Sequence, residues 1–89
     1  MYYVYVLFSL KDKRLYIGFT SNLKRRLKEH SQGKNVSTKT RRPLKLIYYE
    51  AHLAKEDAQR RERYFKTTKG KATLRQTLRE SLSNFKQVF

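Results

Sequence analysis

Three stretches of the chain are rich in β-branched and aromatic residues, a composition that is typical of β-strands. Residues 2–10 (YYVYVLFSL) are apolar or aromatic nearly throughout, which predicts a central strand covered on both faces. Residues 15–19 (LYIGF) follow a short polar turn and predict the second arm of an antiparallel hairpin. Residues 44–52 (LKLIYYEAH) predict a third strand. Alternation along it places three residues on one face, namely Leu44, Leu46 and Tyr48.

A first helix is predicted directly after the hairpin. Thr, Ser and Asn, which are residue types that cap helices, occupy positions 20–22, so we expect the helix to begin at residue 21 or 22. Leu23 and Leu27 are one turn apart and are expected to face the core. Arg26 and His30 form a second pair at the same spacing, beside the leucines. An arginine in this place is suited to binding an anion such as phosphate, although a capped, solvated basic helix explains the stretch as well.

A second helix is predicted over residues 53–67, and its inward stripe contains an acidic residue. The stripe consists of Ala54, Ala58, Glu62 and Phe65. A carboxylate on a buried stripe is costly unless it is paired or bound to a cation. Two interpretations of Glu62 therefore remain open. It pairs with an arginine, for which Arg26 is a candidate, or it is a ligand of a hard divalent metal.

Gly70 is expected to end or interrupt the second helix, and a third helix is predicted over residues 72–82, where leucines recur every four residues. We expect this C-terminal helix to extend over about 71–83. The elements together predict an α+β fold, with a three-stranded antiparallel sheet flanked by about three helices. The length of 89 residues suits a single domain, 1–89, with one hydrophobic core.

Composition narrows the possible functions. The chain has no cysteine, which excludes disulfides, cysteine nucleophiles and thiolate metal sites. No apolar run approaches the ~20 residues of a membrane span, and the N-terminus has no signal-peptide pattern. We therefore expect a cytoplasmic protein without a membrane partner.

The net charge of +15, from 22 Lys and Arg against 7 Asp and Glu, indicates a polyanionic partner. Nucleic acid is the first candidate, because the basic residues are spread along the whole chain and not confined to a tail. Several of them lie on the first helix and in the polar stretch 31–42, where we expect phosphate contacts. These candidates are Lys24, Arg25, Lys34, Lys39, Arg41 and Arg42. Charge alone does not separate DNA from RNA or the ribosome.

Two tyrosine motifs give the chain a resemblance to a known family. Tyr3-Val4-Tyr5 is followed after ten residues by Tyr16-Ile17-Gly18. Further matching positions come later in the chain, namely Asn22, Leu23, Arg26, Leu27, His30, Ala58 and Glu62. This pattern resembles the GIY-YIG nuclease superfamily over about residues 2–67 and looks closest to its small single-domain proteins. The superfamily includes phage intron homing endonucleases and the incision subunit of bacterial nucleotide excision repair.

The resemblance implies a set of catalytic residues. Tyr5 and Tyr16 would take the places of the motif tyrosines, one of which assists deprotonation of the attacking water. Arg26 would stabilise charge on the scissile phosphate, and His30 would shuttle a proton or hold a tyrosine hydroxyl. Glu62 would bind a single Mg²⁺ or Mn²⁺, which acts as a Lewis acid.

The activity implied is metal-dependent hydrolysis of DNA phosphodiester bonds with low sequence specificity. The target would be chosen through charge, through recognition of a branched or damaged structure, or with a protein partner that supplies specificity. The alternative is a nucleic-acid-binding module with weak or no catalysis, acting on DNA or on RNA and the ribosome.

Overall fold

The strands form one antiparallel sheet in which the first strand is central. The computed structural model describes residues 1–88, with side chains for 1–85, so Phe89 of the predicted domain lies outside the described residues. The strands are β1 (Tyr2–Ser9), β2 (Leu15–Thr20) and β3 (Leu44–His52), in the order β2-β1-β3. The helices are α1 (Leu23–Ser31), α2 (Lys55–Phe65), α3 (Thr68–Thr77) and α4 (Arg79–Val88), with a short 3-10 helix at Lys39–Arg41. The predicted α+β class and central β1 are confirmed, and no described helix is long and apolar enough to span a bilayer.

The two faces of the sheet have different roles. On β1, Val4 and Val6 are fully buried and belong to the hydrophobic core, together with Ile17 of β2. Side chains from α2, α3 and the junction before α4 cover this core face, namely Ala58, Phe65, Leu74 and Leu78. Tyr5 points to the opposite face, as alternation requires. That face is covered by the end of α1, because His30 contacts the Tyr5 ring.

The prediction that Leu44, Leu46 and Tyr48 share one face of the third strand is wrong, because β3 contains a bulge. Val6 is paired with Tyr48 and the next residue, Leu7, with Leu46, so Ile47 has no partner of its own. An extra residue in one strand reverses the alternation beyond it. Leu46 therefore lies on the face of Leu7, and Tyr48 lies on the core face. The sequence shows no Gly or polar residue at this point that marks a bulge.

The prediction of a single helix over 71–83 is also wrong, because the structure has two helices in this part of the chain. The chain leaves helical geometry at Leu78 (φ −106°, ψ 19°), and α4 starts at the next residue. Leu74 and Leu78 are both buried, so the leucine row still packs inward. The change of direction brings Phe85 onto Phe8, with ring centroids 4.8 Å apart. The contact between Phe85 and the sheet gives the physical reason for the break.

Gly70 does not end the second helix, which closes at Phe65. It lies in the first turn of α3, where its N–H donates to the N-cap residue Thr67. Gly70 is buried, and a Cβ added to it would collide with the Tyr64 carbonyl and come within 2.7 Å of the Phe65 Cα. The glycine is needed because α2 and α3 approach closely at this point.

We expect Gly70→Ala to destabilise the fold by about 1–3 kcal/mol, the usual cost of overpacking. The measurement is the free energy of unfolding in urea. Lys69→Ala, at the neighbouring exposed position of the same helix, is the matched control and should change stability by less than about 0.5 kcal/mol. If Gly70→Ala were stabilising by about 1 kcal/mol, as at an open helical position, the close approach of the two helices would be refuted.

Candidate active site

Three aromatic rings form a cluster on the face of the sheet opposite the core. The ring centroids of Tyr5 and Tyr16 are 6.4 Å apart, those of Tyr5 and His30 5.6 Å, and those of Tyr16 and His30 5.3 Å. We call these three residues the aromatic triad. They come from β1, β2 and the last turn of α1, so the hairpin and the helix that follows it bring them together. Tyr5 is fully buried and Tyr16 is half-buried.

Gly18 makes room for the Tyr5 ring. The two residues are direct partners across β1 and β2. A Cβ at Gly18 would collide with the phenol end of Tyr5 and lie 2.7 Å from its Cε1 atom. Positive φ among the described glycines occurs at Gly33 and not here, so the backbone conformation does not require a glycine at this position. Gly18 is required for space, and it lets Tyr5 lie across β2.

His30 is buried and bonded at both ring nitrogens. Its Nε2 lies 2.7 Å from the Tyr5 hydroxyl and its Nδ1 lies 2.7 Å from Thr38 Oγ1. Burial, together with the positive charge of Arg26, lowers the pKa of His30 below 6.5. The ring is therefore neutral at pH 7, and either neutral tautomer satisfies both bonds. The row Thr38–His30–Tyr5 can pass a proton in either direction.

Thr38 is the site residue that the sequence analysis missed. It is fully buried, although it lies in a polar stretch that predicts a solvated loop. Several hydroxyl residues surround it in the sequence, and nothing in the local pattern distinguishes it from exposed Thr40. Likewise, the leucines of α1 are only half-buried, and His30 is the buried residue of that helix. The prediction that Leu23 and Leu27 form the inward side of α1 was incomplete. The i,i+4 spacing shows which residues share a face of the helix, but it does not show how deeply each of them is buried.

Arg26 extends from α1 toward the triad. Burial raises the pKa of Tyr5, and the negative charge of Glu62 adds to the rise, while the positive charge of Arg26 counteracts it. Arg26 Nε lies 3.2 Å from Glu29 Oε1. That contact is an ion pair without hydrogen-bond geometry, since Nε is buried and has no hydrogen-bond partner among the described residues. A buried donor of this kind is suited to an acceptor from a ligand.

Glu62 reaches the same region from α2. It is close enough to Tyr5 for its charge to raise the pKa of that hydroxyl. Its side chain is 22% exposed, and its carboxylate lies 3.2 Å from Lys66 Nζ, so the ion pair that the structure shows is with this lysine and not with Arg26. Within residues 1–88 no group of three or more metal-binding side chains occurs. Glu62 is therefore a single half-buried carboxylate at the edge of the triad.

The predicted nucleic-acid contacts fall into two groups. Lys24, Lys34 and Lys39 are exposed, as is Arg25, although Arg25 has Glu29 at 3.9 Å. The remaining two have structural contacts. Arg41 Nε lies 2.6 Å from Asp12 Oδ2, a bond that lowers the pKa of Asp12 to about 2, and Arg41 Nη2 donates to the Leu15 carbonyl. Arg42 donates to the carbonyls of Lys39 and Ser31.

Comparison with known proteins places this geometry in a family. A model of the GIY-YIG catalytic domain matches residues 1–76. The chain belongs to the GIY-YIG family. That family is of nuclease type, and the resemblance drawn from the tyrosine motifs is thereby confirmed.

The relatives of this GIY-YIG chain are small proteins named UPF0213. It is 45% identical over 67 residues to UPF0213 protein SH2523 of Staphylococcus haemolyticus, covering 74% of this chain and 80% of that one. It is 50% identical over 68 residues to a UPF0213 protein of Limosilactobacillus reuteri, covering 73% and 70%. The solution NMR structure of UPF0213 protein BH0048 from Bacillus halodurans superposes with a TM-score of 0.52 at 37% identity, covering 83% of this chain and 82% of that one.

The lowered pKa of His30 in this GIY-YIG domain predicts how stability depends on pH. The unfolded chain takes up a proton near pH 6.5, while folded His30 remains neutral to lower pH. The unfolded state therefore binds more protons in this interval, and stability should fall as the pH drops from about 7 to about 5. The slope should not exceed about 1.4 kcal/mol per pH unit for one group.

The test is urea unfolding across that range with wild type, His30→Gln and His52→Gln. His30→Gln should flatten the slope, whatever its effect on absolute stability. His52→Gln, which changes the other histidine of the chain, should leave most of the slope in place. A wild-type free energy of unfolding that stays level over this range would contradict the assignment of a neutral, buried His30.

Proposed function

We propose that this chain is a metal-dependent endonuclease that hydrolyses DNA phosphodiester bonds with little sequence preference. The observation that carries the proposal is Arg26 beside the aromatic triad, because its buried Nε has an ion-pair contact with Glu29 but no hydrogen-bond partner among the described residues. An arginine donor held near two phenols and a neutral imidazole is suited to a phosphate whose charge increases during reaction. Membership of a nuclease-type family and the net charge of +15 support the same conclusion.

Hydrolysis forms a bond from a water oxygen to phosphorus and breaks the bond from phosphorus to the leaving oxygen. The water loses a proton, and the leaving oxygen gains charge or a proton. Arg26 would stabilise the extra negative charge on the phosphate. Its exposure supports this role, since about a third of its side chain (33%) is accessible while Nε is buried.

The two tyrosines are proposed to have different roles, because their exposure differs. Tyr16 is half-buried, so we assign to its hydroxyl the contact with the attacking water. Tyr5 is fully buried, burial raises its pKa, and its hydroxyl is bonded to His30. A phenol of raised pKa is a poor base at neutral pH. Tyr5 and His30 would therefore hold Tyr16 and Arg26 in place and relay protons behind them.

The donor set fits a hard divalent cation. Mg²⁺ usually keeps several waters and binds one or two carboxylates plus substrate phosphate oxygens. Glu62 supplies one half-buried carboxylate beside Tyr5 and is the residue that would hold Mg²⁺ or Mn²⁺. When bound, the metal would supply Lewis-acid chemistry to the phosphate. The ion pair with Lys66 would then have to open, or the lysine would share the carboxylate.

The substrate would be positioned by backbone contacts. Exposed lysines and arginines that meet phosphates fix a nucleic acid in place without reading its sequence. We assign this role to Lys24, Arg25, Lys34, Lys39 and Arg42. We leave out Arg41, because Asp12 and the Leu15 carbonyl occupy its guanidinium. We also propose that the target is selected through DNA structure or by a protein partner, and that the protein is cytoplasmic.

A second function is supported by one observation. The ion pair of Glu62 with Lys66 gives the carboxylate a structural role that needs no metal. A domain of this charge would bind DNA or RNA through its basic surface without cleaving it. The ion pair between Glu62 and Lys66 would not interfere with that binding. The two functions are separated by a cleavage assay.

We expect cleavage of labelled duplex, single-stranded or branched DNA with Mg²⁺ or Mn²⁺, and loss of that activity in Arg26→Ala and Glu62→Gln. Each change should reduce the rate by about 10²–10³-fold, the usual effect of removing one charge-stabilising group. The matched controls are Arg63→Ala, an exposed arginine of α2 with no assigned role, and Glu56→Gln, an exposed carboxylate of the same helix. Both controls should stay within a few-fold of wild type. Equal loss in Arg63→Ala would mean that charge alone matters, and absence of cleavage in every protein with DNA binding intact would favour the binding module.

The different roles of the tyrosines predict different losses. Tyr16→Phe should remove most of the activity with little change in stability, because its hydroxyl is proposed to contact water. Tyr5→Phe should lower stability by about 1–3 kcal/mol, since His30 loses a buried hydrogen-bond partner. Cleavage rates and urea unfolding of both variants provide the test. A Tyr16→Phe protein with wild-type activity would refute the role given to Tyr16.

A further inference from the structure

A second basic site lies on the core side of the sheet, where the β1–β2 hairpin meets α3 and α4. A cleft of about 820 Å³ opens there. We call it the α3–α4 cleft. Its cationic lining consists of Lys13 and Arg14 of the hairpin turn, Lys71 and Arg75 of α3, and Arg79 of α4. Phe8 and Phe85 belong to its apolar lining. A cleft of this volume is within the size range of ordinary ligand sites, about 300–1,000 Å³.

The cleft is separate from the candidate active site. Phe8, Leu15 and Ile17 line it from the core face of the sheet, whereas the aromatic triad lies on the other face. Its far wall is α4, which begins at Arg79, beyond residues 1–76 that match the catalytic domain. The cleft is thus formed between the GIY-YIG domain and the segment that follows it.

Three cations of the cleft are available to a ligand. Arg14, Lys71 and Arg75 have exposed side chains with no hydrogen bond or ion pair to any other side chain among the described residues. Arg79 donates to the Gln76 carbonyl at 2.7 Å and has a long contact of 3.9 Å with Glu80. No acidic side chain lines the described cleft. Five cations with no carboxylate among the residues that line the described cleft form a positive site in which the charges repel one another unless an anion is bound.

The floor of the cleft is apolar and includes an accessible aromatic ring. Phe85 stacks on Phe8 at an interplanar angle of 21°, and Phe8 is nearly buried while Phe85 remains half-exposed. An accessible aromatic side chain with cationic side chains around it is complementary to a ligand that carries regularly spaced anions and flat apolar groups. Sites for single-stranded nucleic acid combine these two features.

We propose that the α3–α4 cleft binds a short segment of single-stranded nucleic acid, with phosphates on Lys71, Arg75 and Arg14 and a base against Phe85. The bases of a duplex are stacked inside the helix, so a duplex would meet the cations without reaching the floor. An anionic membrane would require a broad exposed apolar face, and here the apolar residues lie below the cations. This site requires no cleavage and stands independently of the nuclease activity proposed above.

The test is binding of a short fluorescent oligothymidylate, followed by anisotropy in chelator across a series of salt concentrations. Lys71→Ala/Arg75→Ala is compared with Lys55→Ala/Lys69→Ala, which removes the same charge from exposed helix positions outside the cleft. The cleft variant should bind more weakly, and its salt slope should be shallower by about 1.4, since each lost phosphate contact on a single strand contributes about 0.7. The control should remain close to wild type.

A third variant, Phe85→Leu, keeps the apolar volume but removes the ring. It should bind the oligothymidylate about fivefold more weakly or worse, because the stacking of one base is lost, and it should bind a duplex as wild type does. Urea unfolding of each variant confirms that the fold is retained.

Equal weakening in the cleft and control variants would overturn the proposal, because binding would then follow net charge alone. The proposal would also be overturned if the cleft variant lost binding to phosphatidylglycerol vesicles but kept its affinity for the oligothymidylate. Because chelator prevents metal-dependent cleavage, an inactive nuclease leaves the result intact, and a failed cleft leaves the cleavage assay unaffected.

Discussion

The candidate site depends on the two hydrogen bonds made by the buried histidine of α1. His30 joins Tyr5 of the central strand to Thr38 of the loop that follows the helix, with both contacts at 2.7 Å. A buried imidazole is costly unless both nitrogens are bonded, so the three segments have to keep their relative positions. The same burial lowers the pKa of His30 and keeps the ring neutral. A positive His30 would repel Arg26, whereas the neutral ring lets this arginine approach the triad.

The edge position of β2 explains how residues from both sides of the sheet meet. Tyr5 starts on the central strand, but Gly18 has no side chain to stop its ring from lying across β2, which is an edge strand. The phenol end of Tyr5 therefore comes toward the margin of the sheet. Arg26 approaches it from α1 on one face, and Glu62 approaches from α2, whose Ala58 and Phe65 pack on the other. A cation binder and an anion binder are thus held near one hydroxyl by separate elements.

The sequence predicts local structure well and tertiary contacts poorly. The three strands follow from their β-branched and aromatic composition, the start of α1 follows from an Asn cap, and the stripe of α2 follows from helical spacing. The bulge at Ile47 and the break at Leu78 do not, because they adjust the chain to packing partners far away in sequence. From the local sequence, Gly70 is predicted to end a helix. Its role in the structure is to let α2 and α3 approach closely, and the local pattern does not show that contact. Thr38 is the plainest case, since a buried threonine in a polar loop has the same sequence signature as an exposed one.

The charge of +15 also has more than one structural meaning. Arg61 donates to Glu50 through Nε and Nη2 and lies 4.3 Å from the Phe65 ring centroid, so it holds α2 on the sheet. Arg41 fastens the loop to the hairpin turn in the same way. Such arginines contribute to net charge but not to an available surface. Among the described residues, the cations without side-chain partners include Arg14, Lys71 and Arg75 of the α3–α4 cleft, and α3 carries two of them. A polyanion would therefore bind this protein at particular places and not uniformly, because the folded structure has already occupied part of its positive charge.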